Sequence, residues 1–437
     1  MKVKVRGIYS TALIKLMLDG GFEVTQAADA IKNALKITEE SEPDVTVEDI
    51  ESKEGVYLYG NDVLKLVEYL KQKLPNSVFY REDIGKIYCG IINNTDQKSK
   101  SIIISLGNGE EGVLDLRNFW GYVKPGSKIL VQSKGTYDGK TMLSTQIRIF
   151  GDNLIIIKNG FTKMSKGIRS HEGRDKLYEI AKGLNLKDWG ILWIQGAENK
   201  DEAVLKEELA KLIEQEKDIN DKFNSANDSA VLYEGVNKIF ITFSKDDKSK
   251  LDDIRNAVMP TIEGHHSLKS AGYTILTDLS ESILDKVSDK DLLQKINETL
   301  LRYGPIKNKP YRLIFSRLNG TSYRVDGSVE EVILEGSKVK GITVTTRGDW
   351  GKTYVIDCEK NFISIKKENG SESMLTFKPE IFPKFSKIVT FDIAVKKEGD
   401  SVTTANEDRV ERMAKKGEIT DAMVKNLGEA LTEMKKV

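Results

Sequence analysis

The segment 85–132 constrains the fold most, because it alternates short β-rich runs with residues that favour tight turns. The β-rich runs are 87–92, 101–106, 112–116 and 128–132. Between them, Gly107-Asn108-Gly109 tolerates positive φ, and Lys124-Pro125-Gly126 favours a second reversal. Short strands joined by such turns predict a small closed β-barrel.

Barrels of this kind often hold single-stranded nucleic acid, although any small antiparallel barrel fits the pattern as well. Two neighbouring aromatic residues, Phe119 and Trp120, follow the third run. Aromatic rings beside such a barrel suit base stacking, and core packing is the alternative. We therefore take Phe119 and Trp120 as candidate RNA-binding residues.

The charge of the chain is balanced overall and separated locally. Lys plus Arg and Asp plus Glu are 67 each, which does not exclude a nucleic-acid-binding protein, because a binding surface needs only local charge. Residues 158–187 hold eight Lys or Arg against three acids, whereas 198–221 hold nine acids against four Lys. The acidic block has the apolar spacing of an amphipathic helix.

Four residues of the basic block are candidate RNA contacts, with an ordinary solvated surface as the alternative. They are Lys166, Arg169, His171 and Arg174, on a stretch that contains two glycines.

A second candidate group is His265, His266 and Lys269, after Gly264. With no third His or Cys nearby, this pair is poor evidence for a metal. Contacts to phosphates or bases fit it better, and structural histidines are the alternative.

The pattern along the whole chain predicts an α+β multidomain protein. The expected domains are a small α+β unit (1–76), the first barrel (77–134), a strand and helix unit (135–225), an α/β connector (226–304), and a second β-barrel closed by helices (305–437). No run of apolar residues is long enough to span a membrane, and the N-terminus lacks a secretory core, so a cytoplasmic location is expected.

Several motifs, in their order along the chain, resemble the archaeal family of ribonucleases that bind AU-rich RNA. They are RGIYSTALIKLMLDGGFEV, the barrel, GSKILVQSKGT, GDNLIIIKNG, GIRSHEGRDKL, GILWIQGAENKDEAVLKEEL, GHHSLKSAG and RVDGSVEEV. The first half is similar to bacterial ribonuclease E/G, and 135–225 to its subdomain that senses RNA 5′ ends. The part from about residue 305 is similar to small bacterial nucleotide phosphatases.

The chain departs from the bacterial enzymes at three places. Ile103 and Val113 stand where their barrel carries stacking aromatics, and Ile194-Gln195 stands where the 5′ sensor has an Arg-Thr pair. The metal-binding nuclease domain of ribonuclease E has no counterpart in this sequence. Monophosphate sensing is therefore not carried over.

The resemblance to phosphatases implies catalytic carboxylates near the C-terminus. Asp392, Glu407 and Asp408 match those places, with Asp392 and Glu407 as ligands of a divalent cation, for which Mg²⁺ is expected. Thr390 replaces the usual partner of Asp392, so a domain without activity is the alternative.

The resemblance implies an endoribonuclease that processes or degrades ribosomal RNA precursors and binds AU-rich loops. The alternatives are a phosphohydrolase acting on RNA 5′ triphosphates or nucleotides, and a non-catalytic RNA- or ribosome-binding factor. Single-stranded or looped RNA is the expected partner, and a homo-oligomer is left open.

Overall fold

The computed structural model forms two compact units, Met1–Arg81 with Lys238–Val437, and Glu82–Asn237. We call the first the split unit and the second the inserted unit. The residues that the structure describes are 1–60, 63–81, 84–97, 99–107, 109–119, 121–137, 140–165, 168, 170–183, 189–194, 196–235, 238–284, 286–346, 351–368, 370–399 and 401–436. None of the helices in these ranges is long and apolar enough to cross a membrane.

The split unit begins with a sheet flanked by helices. Its first elements are β1 (Lys2–Val5), α1 (Ser10–Asp19), β2 (Glu23–Val24), α2 (Asp29–Leu35), β3 (Val45–Asp49), β4 (Gly55–Gly60), α3 (Val63–Lys73) and β5 (Val78–Arg81). Strand β1 runs parallel to β2 and β3. The predicted apolar spacing of α1 is confirmed, since Leu13, Ile14 and Met17 are fully buried in this core.

The inserted unit begins with the predicted barrel. Its strands are β6 (Ile84–Asp96), β7 (Ser101–Gly107), β8 (Glu110–Asp115), β9 (Lys128–Tyr137) and β10 (Lys140–Ser144). Strand β10 lies between β8 and β9, parallel to β8, and β9 pairs with β6. That last pairing closes the barrel, whose interior is filled by apolar side chains such as Ile102, Ile104 and Leu114.

A second sheet and two helices complete the inserted unit. The elements are β11 (Arg148–Phe150), β12 (Leu154–Lys158), β13 (Lys163–Met164), α4 (His171–Lys182), β14 (Trp189–Trp193), α5 (Glu202–Ser225) and β15 (Ala230–Tyr233). The sheet order is β11-β12-β14-β13, and β15 pairs with β6 of the barrel. Helix α5 buries Leu205, Leu209 and Leu212, as expected for an amphipathic helix.

The chain then returns to the N-terminal sheet. Strand β16 (Lys238–Thr242) lies between β4 and β5 and is followed by α6 (Lys245–Asn256), α7 (His265–Ser270), α8 (Thr274–Glu281) and α9 (Asp289–Arg302). Leu251 of α6 packs in the same core as α1. The sequence analysis expected separate domains at 1–76 and 226–304, whereas the structure joins parts of both in one sheet. They are joined because the buried strand β16 needs hydrogen-bonding neighbours on both edges.

The C-terminal part is a second closed barrel with two helices. Its elements are β17 (Pro310–Ser316), β18 (Ser322–Glu335), β19 (Lys338–Thr346), β20 (Thr353–Asp357), β21 (Phe362–Lys367), β22 (Gly370–Thr376), β23 (Glu380–Ile381), β24 (Phe385–Glu398), β25 (Ser401–Ala405), α10 (Arg409–Lys415) and α11 (Asp421–Met434). The parallel pair β17–β24 closes it. The predicted α+β class with two barrels is confirmed.

Candidate RNA surface and candidate catalytic cluster

The basic block of the inserted unit, residues 158–187, which we call the basic segment, contains helix α4. The Ser170 side chain accepts a hydrogen bond from the Gly173 amide at 3.2 Å, and this cap fixes where the helix begins. His171 and Arg174 lie one turn apart on α4, and both are exposed. They can therefore contact RNA together, while Lys166 and Arg169 lie outside the described residues.

The aromatic residues after the third barrel strand divide between packing and exposure. Phe119 is half-buried and packs against the barrel core, together with Leu116 and Val123. Its ring therefore serves the barrel in this structure, as the packing alternative expects. Trp120 lies outside the described residues. Tyr122, a further aromatic residue of the sequence that flanks the barrel, is 88% exposed.

A second exposed aromatic residue, Phe161, was missed from the sequence. Phe161 lies in the turn between β12 and β13, and 80% of it is exposed. The signal that could have found it is a lone aromatic residue directly after a glycine, between Lys158 and Lys163. Such a setting is unusual for a core residue and suits a contact with a flat, anionic ligand.

The two adjacent histidines lie inside the split unit and do not form an exposed loop. Helix α7 begins after Gly264, whose φ of +80° lets the chain enter the helix, and the side chains of His265 and His266 are 1% and 0% exposed. His266 Nδ1 lies 2.6 Å from Asp252 Oδ1. His265 Nδ1 lies 2.6 Å from Glu281 Oε1. The expectation that these rings contact RNA does not fit this burial.

The surroundings of the histidines explain why they are held inside. The His266 ring stacks on Tyr9 with centroids 4.9 Å apart. Burial lowers the pKa of His265, which favours its neutral form, although the hydrogen bond to Glu281 opposes the shift. Lys269, the third residue of this group, pairs with Asp278 at 2.8 Å and stays partly accessible. The group is therefore a packed polar core with one basic residue at its margin.

Next to the histidines lies a buried ionic cluster, which we define as Glu54, Lys248, Glu380 and Lys387. Lys248 Nζ lies 2.5 Å from a carboxylate oxygen of Glu54 and of Glu380, and Lys387 also pairs with Glu54. Burial alone would raise the pKa of Glu54, but the two ammonium groups lower it to about 2. The cluster joins strands and helices from both ends of the split unit.

The three predicted catalytic carboxylates pair with separate sets of basic residues. Asp392 lies on β24 with a φ of +54°, and its carboxylate is 3.6 Å from Arg409 Nη2 and 4.0 Å from Arg317 Nε. Lys435 Nζ pairs with Glu407 at 2.5 Å. Arg412 Nη1 pairs with Asp408, also at 2.5 Å. The structure thus does not bring the three carboxylates together at one ligand site.

This arrangement does not fit a bound Mg²⁺. Across the described ranges, no group of three or more His, Cys, Asp or Glu side chains could hold a metal ion. Two guanidinium groups beside Asp392 repel a divalent cation, which prefers several oxygen ligands. Among the residues that the structure describes, none is hydrogen-bonded to the buried Nε of Arg409. A donor of this kind suits an anionic oxygen and would oppose a metal ion.

A phenol completes the surroundings of Asp392. Burial, with a further contribution from Asp392, raises the pKa of Tyr323 to about 12, so the phenol stays protonated at neutral pH. The Arg317 guanidinium lies 6.0 Å from the centroid of this ring. We call Asp392, Arg317, Arg409 and Tyr323 the Asp392 cluster. Its two guanidiniums and its phenol can donate hydrogen bonds to a phosphate group.

Comparison with known proteins defines the class of the chain. The profile of the Ribonuclease E/G family matches residues 149–298. The "Probable ribonuclease FAU-1" of Pyrococcus horikoshii is 32% identical over 361 residues, which cover 78% of this chain and 74% of the relative. The relative of the same name from Sulfurisphaera tokodaii is 27% identical and aligns over the full length of both chains.

The chain therefore belongs to this archaeal family of ribonuclease E/G-like proteins, which confirms the resemblance seen in the sequence. Among solved structures, the complex of FomD with CDP covers 30% of this chain and 85% of its own, with 9% identity and a TM-score of 0.25. That similarity is too low to support a conclusion about fold or ligand.

Proposed function

We propose that this protein is a ribonuclease that binds RNA and processes or degrades ribosomal RNA precursors, with AU-rich loops among its binding sites. The observation that carries the proposal is the family. Relatives that are named probable ribonucleases match this chain along most of their length. The inserted barrel supports RNA binding, because its strand order is that of five-stranded oligonucleotide-binding barrels.

Charge on the inserted unit supports the same proposal. The basic segment 158–187 carries a local net charge of +5, and His171 and Arg174 are exposed on α4. Binding through such residues releases counterions, so the affinity should fall with salt by a slope of roughly 0.7 per phosphate contact on single strands. Arg174→Glu should lower both the affinity and this slope. A slope near zero for the unchanged protein would exclude a phosphate-binding surface.

For catalysis we propose the Asp392 cluster, without a step that uses a metal ion. Arg317 and Arg409 would stabilise negative charge on the phosphate oxygens of RNA, and Asp392 would keep both guanidiniums in place. The resemblance to phosphatases predicts that the reaction depends on a divalent cation, and this prediction is tested by the experiment with a chelator. Glu407 and Asp408, which pair with Lys435 and Arg412, would contribute less than Asp392.

One experiment separates this function from its alternatives. The purified protein is incubated with 5′-labelled, triphosphorylated RNA in magnesium and, separately, in a chelator. Internal fragments identify a ribonuclease, released phosphate identifies a phosphohydrolase, and bound but intact RNA identifies a binding factor. The chelator arm shows whether the reaction needs a divalent cation.

Variants then locate the catalytic site. Asp392→Asn should abolish cleavage and leave RNA binding unchanged, because the charge that aligns the two guanidiniums is lost. The matched control is Glu411→Gln, since Glu411 pairs with Lys415 on the exposed side of α10. Cleavage at the normal rate by folded Asp392→Asn would place the active site outside the Asp392 cluster.

A further inference from the structure

We propose that Phe161 is a base-stacking platform, on which an unpaired base of single-stranded RNA packs against the exposed ring. The inference rests on the proposed RNA-binding function and assigns one contact within it. Phe161 is 80% exposed, so most of an apolar ring faces solvent in the isolated chain. A flat base would cover that ring, and each stacked base contributes to affinity with little dependence on sequence.

The backbone beneath the ring is fixed by its neighbours. The turn leaves β12 through Asn159, which has a φ of +51°, and the Gly160 amide donates to the Ile157 carbonyl at 3.1 Å. The Ile191 amide donates to Thr162 Oγ1 at 3.4 Å, and β13 then pairs with β14. Both ends of the turn are therefore tied to the same sheet.

A close backbone contact supports the middle of the turn. Gly190 of β14 lies directly against it, since a Cβ atom at this position would come within 2.6 Å of the carbonyl carbons of Gly160 and Phe161. Only a glycine lets the two chain segments approach so closely. The ring is thus presented on a rigid support, which lowers the entropy that binding would cost.

The charge around Phe161 selects RNA as the occupant. Lys158 precedes the turn and Lys163, which is exposed, begins the strand that follows it. Both belong to the basic segment, in which eight Lys or Arg stand against three acids. An aromatic ring between lysines is the combination by which single-stranded nucleic acid is held without sequence preference.

The test compares the full-length chain with Phe161→Ala and Phe161→Trp, using a fluorescein-labelled single-stranded oligoadenylate. Loss of one stacked base should weaken binding by about 5- to 150-fold in Phe161→Ala. The salt dependence should keep its slope, because no phosphate contact is removed. Phe161→Trp should keep the affinity, and its added fluorescence should be quenched by unlabelled RNA. Tyr303→Ala, which removes an exposed ring outside the inserted unit, is the matched control and should keep the affinity.

The outcomes separate this inference from the function on which it rests. If the unchanged chain binds no RNA, both fail. If the unchanged chain binds and folded Phe161→Ala binds equally well, only the platform is excluded. A change in sedimentation without a change in RNA affinity would make Phe161 part of a contact between copies and would also overturn the proposal. Thermal melting verifies that each variant is folded.

Discussion

At the scale of single residues, Lys248 links the two carboxylates of the buried ionic cluster. Its ammonium group lies 2.5 Å from carboxylate oxygens of both Glu54 and Glu380, and its side chain is 2% exposed. Lys248→Met should lower the free energy of unfolding by about 3–5 kcal/mol, because it leaves buried carboxylate charge unbalanced. Urea unfolding of the full-length chain measures the loss.

The control for Lys248 is Lys211→Met, which removes an exposed lysine that pairs with Glu207 one turn away on α5. That change should cost less than about 0.5 kcal/mol. Equal losses for the two variants would mean that the buried ionic cluster contributes no more than a surface pair.

A second prediction at this scale concerns pH. Burial lowers the pKa of His265 in the folded chain, so below about pH 6.5 the unfolded chain takes up a proton that the folded chain resists. Stability should therefore be complete above that pH and decrease as the pH falls. The thermal midpoint of the unchanged chain should drop between pH 7 and 5.5, and more steeply than that of His265→Gln. Parallel pH profiles would contradict the prediction.

The burial of His265 and His266 could not be predicted from the sequence. The residues that bury and pair them, Asp252 and Glu281, are 14 and 16 positions away on other helices. Nothing in the local pattern around Gly264 distinguishes an exposed loop from a buried helix start. By contrast, the exposure of Arg174 follows from the charged surroundings that the sequence shows directly.

At the scale of elements, locally encoded structure was predictable and long-range pairing was not. The first barrel could be foreseen, because its strands follow one another closely along the chain, as β7, which ends at Gly107, and β8, which begins at Glu110, do. The position of β16 in the sheet could not be foreseen, since the whole inserted unit separates β16 from its partners β4 and β5 along the chain. Its apolar sequence fits many neighbours equally well.

The turn between β12 and β13 gives a prediction for an element. Gly190→Ala should displace the turn, because the new methyl group would lie 2.6 Å from backbone atoms of Gly160 and Phe161. We expect a loss of about 1–3 kcal/mol in stability, as for other overpacked sites, and weaker RNA binding by the folded protein. Gly183→Ala is the control, because its Cβ would have ordinary contacts, the nearest at 3.6 Å. Unchanged RNA affinity in Gly190→Ala would separate the turn from the binding surface.

At the scale of the whole molecule, the inserted unit interrupts a sheet at two neighbouring strands. Strand β5 ends at Arg81, β16 begins at Lys238, and Arg81 pairs with Ile239 in antiparallel register. The two ends of the interruption are therefore adjacent in the split unit, which is the usual geometry of a tolerated domain insertion. Each unit also has apolar clusters of its own.

This geometry predicts that the insertion can be removed. Replacement of residues 82–237 by a Gly-rich linker of about four residues turns β5 and β16 into a hairpin, so the split unit should still fold. The shortened chain should melt cooperatively, keep its sensitivity to Lys248→Met, and lose the salt-dependent RNA binding of the basic segment. Circular dichroism and titration with labelled RNA test the two parts separately. An unfolded product would mean that the split unit needs the insertion, whereas a folded product with undiminished RNA affinity would move the principal RNA-binding surface to the split unit.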